Sequence, residues 1–231
     1  MEQLFRNEDG HTDALENRDS PFGFTCGACS RCCYDKKIQI NPFEAASLAG
    51  YRGISTARLL NEFTLDGAGI YLAQSSDGAC VFLGVGGCSV HPVRPLVCRL
   101  YPLGRIRHAN GSEDWELLAP HPESEGQFDI GGTIADYLAA QDALELISIA
   151  DSYVDWVNRA RVVLATCQQD AEGEEVLDAS LFDLDLSVSD YCAHHGLASP
   201  ECLKERQHMH LHILGQELEE LEGGHNGQKA S

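Results

Sequence analysis

Four cysteines fall within the eight residues from Cys26 to Cys33, in the pattern Cys-x2-Cys-x2-Cys-Cys. This cluster constrains the fold more than any other feature, because apolar packing alone does not require thiols at such close spacing. Thiolates are the ligands that soft metal ions and iron–sulfur clusters prefer. The cluster therefore indicates a local fold that is organised around a metal site.

Two kinds of metal site fit this spacing. The Cys-x2-Cys-x2-Cys pattern is typical of a loop that gives three ligands to a 4Fe–4S cluster, with the fourth ligand coming from a distant residue. A Cys-x2-Cys pair also occurs in structural zinc sites. Cys33 directly follows Cys32, and adjacent side chains of an extended segment point to opposite faces. We therefore expect Cys33 either to reach a second metal or to pack as a small apolar residue.

A second cysteine-rich segment, residues 80–104, contains three further thiols among three prolines and four glycines. Proline restricts the backbone and glycine frees it, so this composition predicts a rigid irregular loop. Bringing the two segments together would build one or two metal sites, since seven thiols and one imidazole would fill two four-coordinate sites. These candidate ligands are Cys26, Cys29, Cys32, Cys33, Cys80, Cys88, Cys98 and His91.

Cationic residues flank the candidate ligands. Four thiolates around zinc or a 4Fe–4S cluster leave a net negative charge, which nearby guanidinium groups stabilise. Arg31, Arg94 and Arg99 lie close to cysteines in the sequence, and we predict that they contact the metal site. Lys36 and Lys37 are also near, although ordinary surface charge explains them equally well.

The remaining cysteines and the histidines of the second half give weaker signals. Cys167, Cys192 and Cys202 are widely spaced, which favours small core residues over ligands. His208 and His212 would share one face of a helix, a pairing that can hold zinc. No carboxylate motif accompanies them, so we interpret them as part of a solvated polar face.

Composition excludes several classes of protein. The apolar content of 43% is that of a globular chain. The sequence contains no run of eighteen apolar residues, so no membrane span is predicted. The first nine residues do not resemble a secretory signal, so we expect a cytoplasmic protein whose thiols stay reduced. Residues 1–112 are neutral overall, and residues 113–231 carry the whole net charge of −20. That charge disfavours nucleic acid and anionic lipid as partners and suits a basic or redox protein partner, although a solvated acidic face explains it more simply.

The pattern along the chain predicts an α+β fold, namely a small irregular metal-stabilised domain with short strands that continues into a helical C-terminal region. Short strands are predicted at 36–40, 71–73 and 115–118, and helices are predicted to start at Asn41-Pro42, at Ser55-Thr56 and near Thr133. A second helix after Thr133 is expected to be broken near 143–148. The predicted organisation is a flexible lead at 1–20, a metal-binding domain with a helical extension at 21–166, an acidic helical region at 167–222 with a linker at 168–178, and a disordered tail at 223–231.

The two cysteine-rich segments together resemble a known family. The Cys26–Cys33 pattern, the run CVFL at 80–83 and the run CSVHPVRPLVCRLYP at 88–102 are similar to the CxxCxxCC (YkgJ-like) cysteine-cluster family, which is described as zinc- or iron-chelating. The resemblance covers residues 22–104. It implies that the seven thiols are the shared ligand set and that Arg94, Pro95 and Tyr101 belong to the signature.

The function expected from these observations is the binding of an iron–sulfur cluster, most simply a 4Fe–4S cluster. An iron with an open coordination position would permit a redox or group-transfer role, whereas four filled positions would fit an electron carrier. The alternative is a structural zinc-binding module for protein interaction, without catalytic activity.

Overall fold

A computed structural model describes residues 15–65, 70–108, 110–167 and 182–229, apart from the side chains of Cys167 and of 224–229. Within these residues, seven α-helices accompany short antiparallel strands, which confirms the predicted α+β class. None of the described helices is long and apolar enough to cross a membrane. The elements in chain order are β1 (Pro21–Thr25), α1 (Pro42–Arg52), α2 (Thr56–Phe63), β2 (Leu83–Gly84), β3 (Gly87–Cys88), α3 (Leu96–Leu100), β4 (Leu103–Arg107), β5 (Glu113–Leu117), β6 (Gln127–Thr133), α4 (Ile134–Ala140), α5 (Leu144–Cys167), α6 (Leu184–His195) and α7 (Leu203–Lys229).

The strands form three two-stranded antiparallel sheets, in which β1 pairs with β6, β2 with β3, and β4 with β5. Phe24 lies opposite Phe128 in the first sheet, Leu83 opposite Cys88 in the second, and Arg105 opposite Trp115 in the third. Two-stranded sheets are only marginally stable alone, so each depends on the helices and loops that pack against it.

The chain divides into two compact units. The first contains Met1–Gln39 and Gln74–Ile147, and it holds all seven candidate ligand thiols. The second contains Ile40–Ala73 and Ser148–Ser231, and it is built from α1, α2, α6, α7 and most of α5. The boundaries at 20, 166 and 222 stay predictions, since the lead at 1–20 and the linker at 168–178 fall mostly or wholly outside the described residues.

Aromatic packing holds the first unit together directly before its first thiol. Phe22 in β1 is 1% exposed, and its ring meets that of Tyr137 in α4 edge to face at a centroid distance of 5.0 Å. Ile134 and Leu138, on the same helix, are fully buried. Burying side chains of this size supplies about 2 kcal/mol each, so this cluster fixes the end of β1 from which the cysteine loop begins.

The helices of the second unit begin where their capping residues predict. Asn41 forms a capping box with Glu44, and Pro42 is the first residue of α1. The Ser55 side chain caps α2 by accepting a hydrogen bond from the Arg58 N–H, and in the first unit Thr133 caps α4. These caps confirm all three predicted helix starts.

Other local predictions differ from the structure. Residues 36–40 and 71–73 do not form strands; isolated bridges such as Thr64–Leu72 occur there, because no partner continues the ladder. The helix break lies between Ala140 and Leu144, where Asp142 adopts a positive φ, and α5 then runs without interruption. Helix α7 extends to Lys229, into the segment predicted as a tail.

Two buried hydrogen bonds link α5 to α7 within the second unit. The Trp156 Nε1–H donates to the Leu214 carbonyl at 2.9 Å. The Tyr153 hydroxyl and His210 Nδ1 lie 3.1 Å apart, and His210 is fully buried. His210 therefore belongs to the core of this unit, although it lies between the two histidines that the sequence pattern singled out.

Candidate metal centre

The cysteine loop at 26–33 turns tightly between its thiols. Ala28 and Ser30 adopt positive φ angles of 54° and 60°, and a 3₁₀ turn follows at Arg31–Cys33. The Ala28 N–H donates to Cys26 Sγ at 3.4 Å. Backbone amides that approach sulfur in this way stabilise thiolates, which is the state in which cysteine binds a metal.

The vicinal pair Cys32 and Cys33 differs from the arrangement expected for an extended segment. The Cys33 N–H donates to the Ser30 carbonyl at 3.0 Å, which closes the 3₁₀ turn. In this turn the two thiols contact each other, and the Cys33 thiol donates a hydrogen bond to the Cys32 sulfur. The two side chains therefore face a common region rather than opposite ones.

The pKa values of Cys32 and Cys33 shift in opposite directions. The hydrogen bond from Cys33 lowers the pKa of Cys32 to about 7 against the opposing effect of burial, and the charges of Lys36 and Arg94 assist. The same hydrogen bond, with burial, raises the pKa of Cys33, and negative charge on Cys32, Cys88 and Cys80 raises it further. Cys32 is therefore the more readily deprotonated thiol of the pair.

The second cysteine segment pairs with the first directly beside the vicinal thiols. The Cys80 N–H donates to the Cys33 carbonyl at 2.8 Å, and a bridge joins Tyr34 to Ala79. Burial raises the pKa of Cys80, and charge on Cys88 and Cys32 adds to it. The structure thus brings together four thiols within electrostatic range, which we call the inner thiols: Cys32, Cys33, Cys80 and Cys88.

Arg94 and Arg99 brace the loop that carries His91 and Cys98. Arg99 donates to the backbone carbonyls of Pro92, Arg94 and Gln141, at 2.9, 3.2 and 2.8 Å. Arg94 donates to the His91 carbonyl and to the Gln141 side chain, while its charge also acts on Cys32. Both arginines are therefore ordered by several hydrogen bonds, and Arg94 adds positive charge near the inner thiols.

His91 and Cys98 lie at the two ends of this braced loop. Partial burial lowers the pKa of His91, and the charges of Arg94 and Arg99 lower it further, so that the imidazole is neutral and able to bind metal at pH 7. His91 is the first residue of a 3₁₀ turn, and its side chain is exposed. Cys98 lies half-buried in α3.

Residues 121–125 form a cover over the cysteine loop that sequence reasoning missed. The Glu125 N–H donates to Cys29 Sγ at 3.5 Å, and Arg31 pairs with Glu123 at 2.9 Å. A Cβ on Gly27 would lie 2.6 Å from the Glu125 carbonyl oxygen, so this position has room only for glycine. The cover acts mainly through its backbone, which leaves no residue-type signal in the sequence.

An open cleft of about 1050 Å³ borders the other side of the cysteine loop. Cys29 and Arg31 contribute to its wall together with the turn at 75–77 and the β2–β3 hairpin. The hairpin tip, Val85, is fully exposed. The cleft gives the loop direct access to solvent on this side.

Tyr101 lies in the second cysteine segment, three residues after Cys98. Its hydroxyl is buried, and its O–H proton has no acceptor among the described residues. Its backbone carbonyl accepts a hydrogen bond from the Tyr137 hydroxyl at 2.7 Å. Burial raises the pKa of Tyr101, and negative charge on Cys32, Cys29 and Cys26 raises it further. The His121 backbone amide, which is directed at the phenol oxygen, acts to lower this pKa.

The donor chemistry of this region fits a thiophilic metal. No three Cys, His, Asp or Glu side chains of the described residues form a closed metal-binding group. What the fold supplies is a set of gathered thiols, backbone amides directed at Cys26 and Cys29, a guanidinium charge, and an orphaned hydroxyl. Each of these features stabilises sulfur that carries negative charge.

Comparison with known proteins agrees with this chemistry. Residues 25–119 match the model of the CxxCxxCC family, whose description is "Putative zinc- or iron-chelating domain". No curated protein and no solved structure matches the chain. The match spans both cysteine segments and ends just before the cover at 121–125. The similarity to this family covers residues 25–119, which is less than half of the 231-residue chain.

Proposed function

We propose that this protein binds a 4Fe–4S cluster through thiols of its two cysteine segments. The observation that carries the proposal is the loop at 26–33, where three thiols at three-residue intervals receive backbone N–H donors at Cys26 and Cys29. A cluster of this kind needs four thiolates, and such a loop can supply three of them while the fourth comes from elsewhere. Among the remaining inner thiols, Cys80 is hydrogen-bonded through its backbone to Cys33 and is therefore well placed to complete the set.

Zinc binding is a second candidate function, and the inner thiols favour it. Cys32, Cys33, Cys80 and Cys88 act on one another electrostatically, and four thiolates would fill a tetrahedral structural zinc site. In this case Cys26 and Cys29 would lie outside the ligand set. The protein would then be a metal-stabilised interaction module.

A bound iron–sulfur cluster would supply one-electron chemistry. The chain's own contribution would be to hold the cluster beside the cleft at Cys29, where a redox partner or a small substrate has access. The net charge of −20 favours a partner with a basic surface and disfavours nucleic acid. We place this activity in the cytoplasm, where thiols stay reduced.

The experiment is to purify the full chain without oxygen and to measure iron, acid-labile sulfide and zinc per chain together with the visible absorption spectrum. Equal amounts of iron and sulfide, with a brown colour that bleaches in air, would support the cluster. Colourless protein with stoichiometric zinc would refute the cluster and support the second candidate. Protein that takes up neither iron nor zinc would refute both candidates.

A further inference from the structure

The buried hydroxyl of Tyr101 is a hydrogen-bond donor for which the described residues provide no acceptor. The Tyr101 ring is held in place because Phe24 packs against it edge to face, at a centroid distance of 6.2 Å. The Tyr137 hydroxyl also donates a hydrogen bond to the Tyr101 backbone carbonyl. A buried phenol without an acceptor destabilises the fold, and buried tyrosines normally find a partner. The position is therefore held by packing although its polar atom is left unsatisfied.

Sulfur atoms of the cysteine loop lie within electrostatic range of this hydroxyl. Charge on Cys32, Cys29 and Cys26 reaches Tyr101, and these three residues all lie in the cysteine loop at 26–33. On the other side, the cover bonds to the same loop through the Glu125 amide and Cys29 Sγ. A thiolate in this turn, or a sulfide bound to it, would offer lone pairs that a protonated thiol offers only weakly.

We propose that the Tyr101 hydroxyl donates a hydrogen bond to sulfur of the occupied metal centre, at the end formed by Cys26, Cys29 and Cys32. This inference rests on the proposed metal binding. Tyr101 is thus a positioning residue, whose bond is completed when a bound metal holds the sulfur atoms of this loop in place as thiolates. Tyr101 then couples metal occupancy to the stability of the first unit, and a hydrogen bond to sulfur also tunes the reactivity of the centre.

The test compares Tyr101→Phe with Tyr137→Phe, each measured without metal and after loading with zinc or with iron and sulfide. Tyr101→Phe removes only the unsatisfied oxygen, so without metal its thermal midpoint should equal or exceed that of the unmodified chain. Once loaded, the same variant should be less stable than the unmodified chain and should lose metal to a chelator about tenfold more readily. The control, Tyr137→Phe, loses a bond that exists in both states, and its midpoint should fall by the same amount with and without metal.

Three results would overturn the inference. The first is a Tyr101→Phe midpoint that falls equally in both states, since this is the behaviour of a purely structural hydroxyl. The second is unchanged metal retention in Tyr101→Phe, and the third is failure of that variant to fold without metal. If the unmodified chain binds no metal at all, the proposed function itself fails, and this result is distinguishable from a defect confined to the variant.

Discussion

The backbone amide of Cys80 donates a hydrogen bond to the carbonyl of Cys33 at 2.8 Å. This bond joins the two cysteine segments at the vicinal pair, and it lies next to the bridge between Tyr34 and Ala79. The second segment thereby meets the first through backbone pairing. We infer that this pairing helps to hold the thiols of the two segments near one another.

Replacing the thiols shared by both proposed ligand sets should weaken metal retention. Cys32→Ser and Cys80→Ser each remove one of these shared thiols, and we expect metal affinity to fall by about 100-fold. Metal content after dialysis against a chelator measures this loss. Cys192→Ser, at a buried position of the second unit, and Cys202→Ser, at an exposed one, are the matched controls and should retain metal fully. Equal loss in all four variants would refute the assignment.

The cover at 121–125 should be sensitive to a single methyl group at Gly27. Gly27→Ala places a Cβ 2.6 Å from the Glu125 carbonyl oxygen, so the cover must move and the Glu125 bond to Cys29 must lengthen. We expect metal to dissociate about tenfold faster, as measured by transfer to a chromogenic chelator. Gly86→Ala, where no atom lies within 4 Å, should behave like the unmodified chain. Identical rates for the two variants would contradict the role of the cover.

The vicinal thiols of the metal-free protein should differ in reactivity. Because the pKa of Cys32 is lowered to about 7, its alkylation by iodoacetamide should reach half its maximal rate near that pH. The pKa values of Cys33 and Cys80 are raised, so these residues should react only in more alkaline solution. Mass spectrometry of peptides alkylated at pH 7 measures the order. Preferential labelling of Cys33 at this pH would contradict the direction of the Cys33–Cys32 hydrogen bond.

Glu113 should make the stability of the first unit depend on pH. Burial acts to raise the pKa of Glu113, but hydrogen bonds and charges from Arg18 and Arg105 outweigh it and hold the pKa below the ordinary 4.5. A carboxyl with a lowered folded pKa contributes stability that is present above its ordinary pKa and lost as the pH falls through its lower folded pKa. Glu113→Gln should therefore cost about 1 kcal/mol at pH 7, since the partly exposed pair is screened by solvent, and the cost should shrink in acid.

Urea unfolding of Glu113→Gln and of the unmodified chain at pH 7 and at pH 3 checks this expectation. Glu62→Gln alters an exposed helical pair in the second unit and should change stability little at either pH. A Glu113→Gln penalty that grows in acid would show that the sign of the linkage is wrong.

Much of the fold follows from local signals in the sequence. Asn41 and Ser55 specify their helix starts because a capping side chain acts on amides within the same turn. The break before α5 lies a few residues earlier than the pattern predicts, because Asp142 supplies a positive φ without glycine. Polar and apolar residues alternate at 36–40 as they would in a strand. These residues would form a strand only if a partner strand lay beside them, and pairing of that kind is a non-local property.

The candidate site also has features that the sequence predicts and features that it does not. The thiols and the arginines are visible in the sequence because their chemistry resides in side chains. The contact of Cys32 with Cys33 could not be predicted, because it depends on a 3₁₀ turn between residues that also suit an extended segment. Glu125 acts through its amide, and Gln141 through a carbonyl and an amide oxygen that anchor both arginines. Such acceptors and donors occur at nearly every position, so a single sequence does not distinguish them.

The account is tested most directly by the X-ray absorption spectrum of the metal in protein purified without oxygen. We predict an iron edge whose nearest neighbours are sulfur atoms, with iron scatterers behind them, as a cluster held by cysteine thiolates requires. A first shell dominated by nitrogen and oxygen would contradict the central claim that the two cysteine segments bind the metal.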